Sequence, residues 1–212
     1  MENMARNEQE NFWARDFGTE YTDRNVGANI LASNIALFAA IFKRVPKLSS
    51  VIEFGANIGL NLKALGYLYP GQRQIAIEIN SYAANKIKET LPSVKVLNLA
   101  ISDFDPGMLG DAPCDLSLIK GVLIHINPDQ LKMVYEKLYE STHQFILVCE
   151  YYSPKPDTVR YRGHANKLFR RDFAGEMLDM YPDLKLVDYG FAYHRDPSFP
   201  QDDFTWFLLE RS

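Results

Sequence analysis

The chain is poor in cysteine, in net charge and in long apolar runs, and each shortage removes a class of protein. Its two cysteines, Cys114 and Cys149, stand 35 residues apart with no C-x-x-C pair and no Cys/His cluster, which excludes a disulfide framework and a structural zinc site. Lys and Arg number 23 against 27 Asp and Glu, for a formal net charge of −4. Nothing in that balance points to nucleic acid, so any anion site must be local. The longest apolar stretch, 30–42, is too short to span a bilayer and contains Ser33 and Asn34, while 1–10 is polar and acidic with no apolar signal core. The expectation is a cytoplasmic protein with no membrane segment, no metal and no nucleic-acid partner.

What is present is enough apolar material for one core: 212 residues, 47% hydrophobic and 13% aromatic. No repeat or low-complexity run occurs. Short β-branched segments alternate with helical ones between turn residues, which is the pattern of an α/β fold. A helix is predicted over 28–42, with Leu31, Ile35, Phe38 and Phe42 on one side, and Pro46 stops it. Strands are predicted at 51–54, 74–79, 94–99, 115–119 and 145–150, with helices at 60–68 and after Asn80. Another helix follows Asn127-Pro128-Asp129-Gln130, which offers an N-cap, a first-turn proline and a capping-box glutamine. After 150 comes a loop of roughly 20 residues, unusually long, before a helix near Asp172. Segments 184–193 and 204–210 read as strands whose connection is too short for a parallel crossover. The sheet should therefore be mostly parallel, with one reversed strand.

The most informative site is Val51-Ile52-Glu53-Phe54-Gly55-Ala56-Asn57-Ile58-Gly59-Leu60-Asn61, a buried strand running into a glycine-bearing turn and a helix. In a doubly wound sheet this is where a nucleotide-like ligand docks. Gly55 and Gly59 let backbone approach the ligand, and the helix start presents free N–H groups. Glu78 follows Gly59 by 19 residues, at the end of the second strand, where an acidic side chain accepts hydrogen bonds from ribose hydroxyls. The turn is G-x-x-x-G headed by Glu53, a carboxylate a dinucleotide site has no need of and a cationic ligand group would want.

With the reversed last strand, these motifs resemble the class I S-adenosylmethionine-dependent methyltransferases over 51–210. That resemblance implies a Rossmann-like, seven-stranded α/β sheet with an antiparallel final strand and helices on both faces, and S-adenosylmethionine as cofactor. The E-x-G-x-x-x-G turn, with Glu53, Gly55, Ala56, Asn57 and Gly59, would hold its amino-acid end and Glu78 its ribose. Ala100, Ile101, Ser102 and Asp103 would meet the adenine, with Asp103 equally readable as a turn cap, and Lys120-Gly121-Val122 would close the pocket.

Further segments narrow the resemblance: Phe12-Trp13-Ala14-Arg15-Asp16-Phe17-Gly18, Lys120 through Ile126, Glu150-Tyr151-Tyr152-Ser153-Pro154, Tyr161-Arg162-Gly163-His164, Arg171 through Met177, and Tyr193-His194-Arg195-Asp196-Pro197 on to Trp206. Together they look like the pseudaminic acid biosynthesis-associated methylases. The implied division is an N-terminal helical arm or lid over 1–46 and a methyltransferase domain over 47–212, one globular unit overall. Phe17, Gly18, Tyr21, Thr22 and Arg24 would fold over the cofactor or pack on the sheet edge. The implied acceptor is a hydroxyl, with a nitrogen as alternative, on a nonulosonic-acid-type sugar or precursor.

The acceptor side draws on loops at the strand ends. Segment 155–171 holds Lys155, Arg160, Arg162, Lys167, Arg170 and Arg171 against the single acid Asp157, which suits a carboxylate or phosphate on the acceptor. Glu150, Tyr152, Arg160, Arg162, His164 and Arg195 are the expected acceptor contacts, and the substrate a small anionic sugar. Methyl transfer needs a base only to take the acceptor proton, and histidine suits that at neutral pH. His125, placed after the fourth strand, His164 and His194 are the candidates, with pure positioning as the alternative. Two rivals remain open: an NAD-dependent sugar-modifying oxidoreductase, and a non-catalytic cofactor-binding subunit of a glycan-assembly complex.

Overall fold

The computed structural model describes residues 7–24, 27–110, 112–161 and 164–212; side-chain placements exclude 16, 23, 24, 160, 161 and 164–167. Strands β1 (Ser50–Phe54), β2 (Arg73–Ile77), β3 (Lys95–Leu97), β4 (Cys114–Lys120), β5 (Thr142–Glu150), β8 (Leu184–Ala192) and β9 (Phe204–Arg211) form a seven-stranded sheet in the order β3-β2-β1-β4-β5-β9-β8. All neighbours through β5 are parallel, and β9 runs antiparallel to both β5 and β8. The Rossmann-like α/β architecture with one reversed strand is thus as the sequence predicts.

Alternation along the strands builds two cores. Ile52, Phe54, Ile75, Ile77, Ile146 and Val148 face helices α6 (Leu131–Glu140) and α7 (Phe173–Met180). Val51, Ala76, Leu116, Leu118, Phe145 and Leu147 face α3 (Ala28–Phe42), α4 (Leu60–Leu68) and α5 (Ser81–Thr90). A strand whose side chains all find a core must be apolar on both faces, and β1 is buried at every position. Glu53 is the one charged side chain in it, set among Val51 and its neighbours on the α3/α4 side.

The helix over 28–42 has the expected bounds, and Asn80 caps α5 by accepting from the Ala83 amide at 3.1 Å. Two expectations change. Segment 151–171 is not a structureless loop: β6 (Asp157–Tyr161) and β7 (His164–Arg170) pair as a separate antiparallel two-stranded sheet. Thr158, Val159, Tyr161, Leu168 and Phe169 supply the β-forming residues, and Leu168 and Phe169 are buried. Gln130 does not close a capping box on Asn127; its Oε1 accepts from Asn7 Nδ2 at 2.8 Å, which ties α6 to the chain's N-terminal helices.

Those helices, α1 (Glu8–Ala14) and α2 (Asp16–Arg24), lie across the carboxyl ends of the parallel strands. The strand order reverses between β1 and β4, with β2 and β3 on one side and β5 on the other. A crevice opens at such a reversal because the connections leave in opposite directions. No helix among the described residues is long and apolar enough to cross a membrane.

Candidate active site

At that reversal lies a cavity of about 300 Å³, within the range of small-molecule sites. Its floor is the turn after β1. Gly55 (φ 75°) and Gly59 (φ 78°) occupy the left-handed region that favours glycine, and Asn57 joins them at φ 48°. The Gly55 and Ala56 amides donate to Ile77 O at 2.9 and 3.0 Å, which stitches the turn to the end of β2. A Cβ at Gly55 would stand 2.5 Å from Val122 Cγ2, so a side chain here would have to displace Val122 as well as hold a left-handed backbone.

Glu78 forms the next wall. Its Oε2 accepts from the Asn57 amide and its Oε1 from the Asn80 amide, both at 2.7 Å. Burial raises its pKa, against the lowering effect of amide bonds from Asn80, Asn57 and Ile79. A carboxylate oxygen accepts about two hydrogen bonds, so a side chain locked by two amides still offers acceptor capacity to the cavity it lines. Glu53 sits behind the turn, 1% exposed and off the cavity wall. Asn61, which is on the wall, donates from Nδ2 to Glu53 Oε1 at 2.6 Å. Glu53 Oε2 and Asn61 Oδ1 are buried with no hydrogen-bond partner among the described residues. Burial pushes the Glu53 carboxyl up to about 8, opposed by Asn61 and by the charge of Lys120. With that proton kept, Glu53 is a neutral acid behind Asn61, and a cation brought to this corner would favour its ionisation.

After β3, Ile101 and Ser102 line the cavity and Asp103 does not. Asp103 is exposed, its amide donating to Ala100 O at 3.1 Å, which is the turn arrangement rather than a contact with the cavity. After β4, Lys120, Gly121 (φ 68°), Val122 and His125 are on the wall. Lys120 Nζ stands 4.7 Å from the centroid of the Phe204 ring, and His125 is 7% exposed with its ring 4.6 Å from that of Trp13.

The opposite wall is the N-terminal helical pair, and polar contacts fix it to the loops after β1, β2 and β3. Thr22 Oγ1 stands 2.9 Å from Asn57 Oδ1, after β1. Asn80 Nδ2, after β2, donates to the carbonyls of Trp13 and Arg15 at 3.2 and 3.3 Å. Ser102 Oγ, after β3, donates to Glu10 Oε1 at 2.5 Å. Gly18 is where α2 passes the Trp13 carbonyl, and a Cβ there would collide with it. Trp13 meets Phe12, Phe17 and Tyr21 edge-on at 5.3–5.7 Å between centroids, a favoured aromatic geometry. Of these residues, Glu10 and Asn80 carry no site signal in the sequence, since polar side chains far apart along the chain have no periodicity to betray them.

The expected acceptor contacts fare differently. Glu150 is 2% exposed and turned inward, with Oε1 accepting from the amides of Val122 and Leu123 at 2.9 Å each, so it is a backbone anchor and not part of the wall. Burial lifts its carboxyl to about 7, against those amide bonds. Tyr152 is exposed and leans on Phe207 at 5.9 Å, outside the cavity. His194 and Arg195 are exposed in the β8–β9 connection and off the wall. The His194 ring bonds Asp203 at 2.8 Å and thereby braces its own loop. Arg170 pairs with Asp157 directly across the β6–β7 ladder, and Arg171 Nε donates to Glu176 Oε1 at 2.7 Å, so two of the basic residues are answered internally. The side chains of Arg160, His164, Lys167 and Arg24 lie outside the described residues, as does Arg162 altogether. Among the described residues no group of three or more His, Cys, Asp or Glu is placed to hold a metal ion.

No protein-family model matches the chain, and no curated protein does. Solved structures match it in number. Magnesium protoporphyrin IX methyltransferase from Synechocystis PCC 6803 aligns with a TM-score of 0.67 at 13% identity, over 99% of this chain and 100% of that one. A SAM-dependent methyltransferase from Leishmania major aligns with a TM-score of 0.70 at 15% identity, over 97% and 82%. The 1,6-didemethyltoxoflavin-N1-methyltransferase of Burkholderia thailandensis, solved with S-adenosylhomocysteine, aligns with a TM-score of 0.67 at 18% identity, over 93% and 86%. At such identities the likeness establishes architecture: this chain has the Rossmann-like fold of the class I methyltransferases.

Proposed function

We propose that the protein is an S-adenosylmethionine-dependent methyltransferase, acting on a hydroxyl of a small sugar acid of the nonulosonic type. The observation that carries the cofactor reading is the pairing of Glu78, locked by two amides just after β2, with a left-handed glycine turn packed tightly under Val122 at Gly55. Local chemistry fits the group. Glu78 suits vicinal ribose hydroxyls, Asn61 on the wall with Glu53 behind it suits the ammonium of the amino-acid end, and Ile101 and Ser102 stand where an adenine would lie. A dinucleotide fits less well, since the turn is Gly55-Ala56-Asn57-Ile58-Gly59 and lacks the G-x-G-x-x-G spacing of a pyrophosphate loop.

When bound, S-adenosylmethionine supplies an electrophilic methyl group. What the chain does is position and shield. Trp13 and Tyr21 cover the cavity from the N-terminal side and exclude water, an advantage where reacting groups must be desolvated. His125, on the wall after β4, is placed to take the acceptor proton; His164 and His194 lack a shown place in the cavity. The sugar-acid acceptor is supported by the sequence resemblance, and Lys120 is the one Lys or Arg on the cavity wall among the described residues.

The test is transfer of radiolabel from methyl-labelled S-adenosylmethionine to a panel of carboxylated sugars and their methyl esters. Label entering the acids and not the esters supports the full reading. Label entering neutral acceptors alone keeps the methyltransferase and overturns the sugar acid. Replacing His125 by Ala should cut turnover at least about 100-fold if it is the base, with cofactor affinity lowered far less.

A further inference from the structure

Glu150 ends β5 beside the cavity without reaching it. Its Oε1 accepts from Val122 N and Leu123 N at 2.9 Å each, and its Oε2 faces Ile124 N at 3.4 Å. Three successive amides converging on one anion form the concavity by which backbone binds phosphates and other anions. Here the anion is the chain's own side chain, 2% exposed. The turn it grips then closes on itself, His125 N donating to Val122 O at 2.8 Å and Ile126 N to Leu123 O at 3.1 Å.

What that turn touches gives the grip its consequence. At its start Val122 covers Gly55, the tightest point of the cavity floor. At its end the His125 ring lies against Trp13, the centre of the aromatic cluster in the N-terminal helices. We propose that Glu150 is a positioning residue: by holding amides 122–124 it sets Val122 on the floor and His125 against Trp13, and so couples the end of β5 to closure of the N-terminal helices over the cavity. The competing account is that Glu150 only balances the charge of Lys120, which pairs with the adjacent Cys149 across β4–β5 and acts on the Glu150 carboxyl electrostatically.

Amide hydrogen exchange on Glu150→Asp, Glu150→Gln and His125→Ala, each with and without S-adenosylhomocysteine, separates these accounts. Asp keeps the charge and withdraws the oxygens by one methylene; Gln keeps the length and loses the charge and one acceptor. The proposal predicts that both Glu150 variants exchange at least tenfold faster over 121–126 and over 8–24, with amides of β1 and β2 unchanged. Affinity for S-adenosylhomocysteine should fall about tenfold in both, a part of the prediction that rests on the function proposed above. His125→Ala should free 8–24 while leaving 122–124 protected, and wild-type exchange over 8–24 in that variant would overturn the coupling even if the Glu150 variants do not fold.

Wild-type exchange in Glu150→Asp would overturn the proposal, since charge would then suffice. So would acceleration spread evenly through the sheet, or loss of protection at 122–124 in His125→Ala. Absence of S-adenosylhomocysteine binding in the unmodified protein would overturn the cofactor reading and leave the exchange pattern to decide this proposal alone.

Discussion

The two ends of the sheet's loop surface behave differently. On the β1–β4 side, polar groups are buried and convergent: Glu78 bridges two loops, Asn61 donates to the buried Glu53, and the N-terminal helices are bonded down over them. On the β6–β7 and β8–β9 side, charges are exposed and answer one another, Arg170 to Asp157 and His194 to Asp203. The lesson is that residue type is a poor guide to a site, whereas position at the end of a parallel strand beside the topological reversal is a good one. Such ends are held on both flanks by ladder bonds, so their side chains converge and cannot turn away to satisfy themselves.

The largest way to break the first region is Gly55→Ala. It places a side chain at φ 75°, 2.5 Å from Val122, and left-handed backbone plus overpacking cost about 2–5 kcal/mol. Urea unfolding should show that loss, together with loss of ligand binding. Glu78→Ala comes next: it removes a charged acceptor from the ribose position, worth about 1.5–3 kcal/mol, or roughly 10- to 150-fold in S-adenosylhomocysteine affinity by calorimetry.

The buried acids sharpen the comparison through pH. The folded chain holds the Glu53 proton up to about pH 8, against an ordinary 4.5, and that of Glu150 to about 7. Between those limits the folded state binds more protons than the unfolded one. This contribution to stability is therefore full below the ordinary carboxylate range and lost as pH rises, by at most about 1.4 kcal/mol per pH unit for each group. Glu53→Gln, which keeps the shape and removes the titration, should make the fall in urea midpoint between pH 7 and 8 shallower, leaving the part that Glu150 contributes. Smallest of all is His194→Ala, an exposed change on the other side. It should alter stability by less than about 0.5 kcal/mol and leave ligand affinity and turnover as they were.

The same contrast explains what was legible in the sequence. Strands and their order of appearance could be read because β-branched runs bounded by turn residues report burial on both faces, as in 51–54 and 145–150. Gly55, Gly59 and Glu78 could be read because a strand, a turn and an acid at a fixed spacing admit few arrangements. Glu150 was misplaced because backbone amides, its partners, leave no residue-type signature. Gln130 satisfied a capping motif yet bonds Asn7, 123 residues away, a partner no local pattern can announce. The charge count of the basic segment points to an anion site, but Asp157 and Arg170 face each other across a hairpin whose pairing that count conceals.

The most direct test of the central claim, that the cavity at the β1–β4 reversal binds S-adenosylmethionine, is calorimetric titration with S-adenosylhomocysteine and, separately, NAD, on the unmodified protein and on Glu78→Ala. The account predicts saturable one-to-one binding of S-adenosylhomocysteine alone, weakened at least tenfold by the substitution. Binding of NAD alone, or S-adenosylhomocysteine affinity unmoved by loss of Glu78, would contradict it.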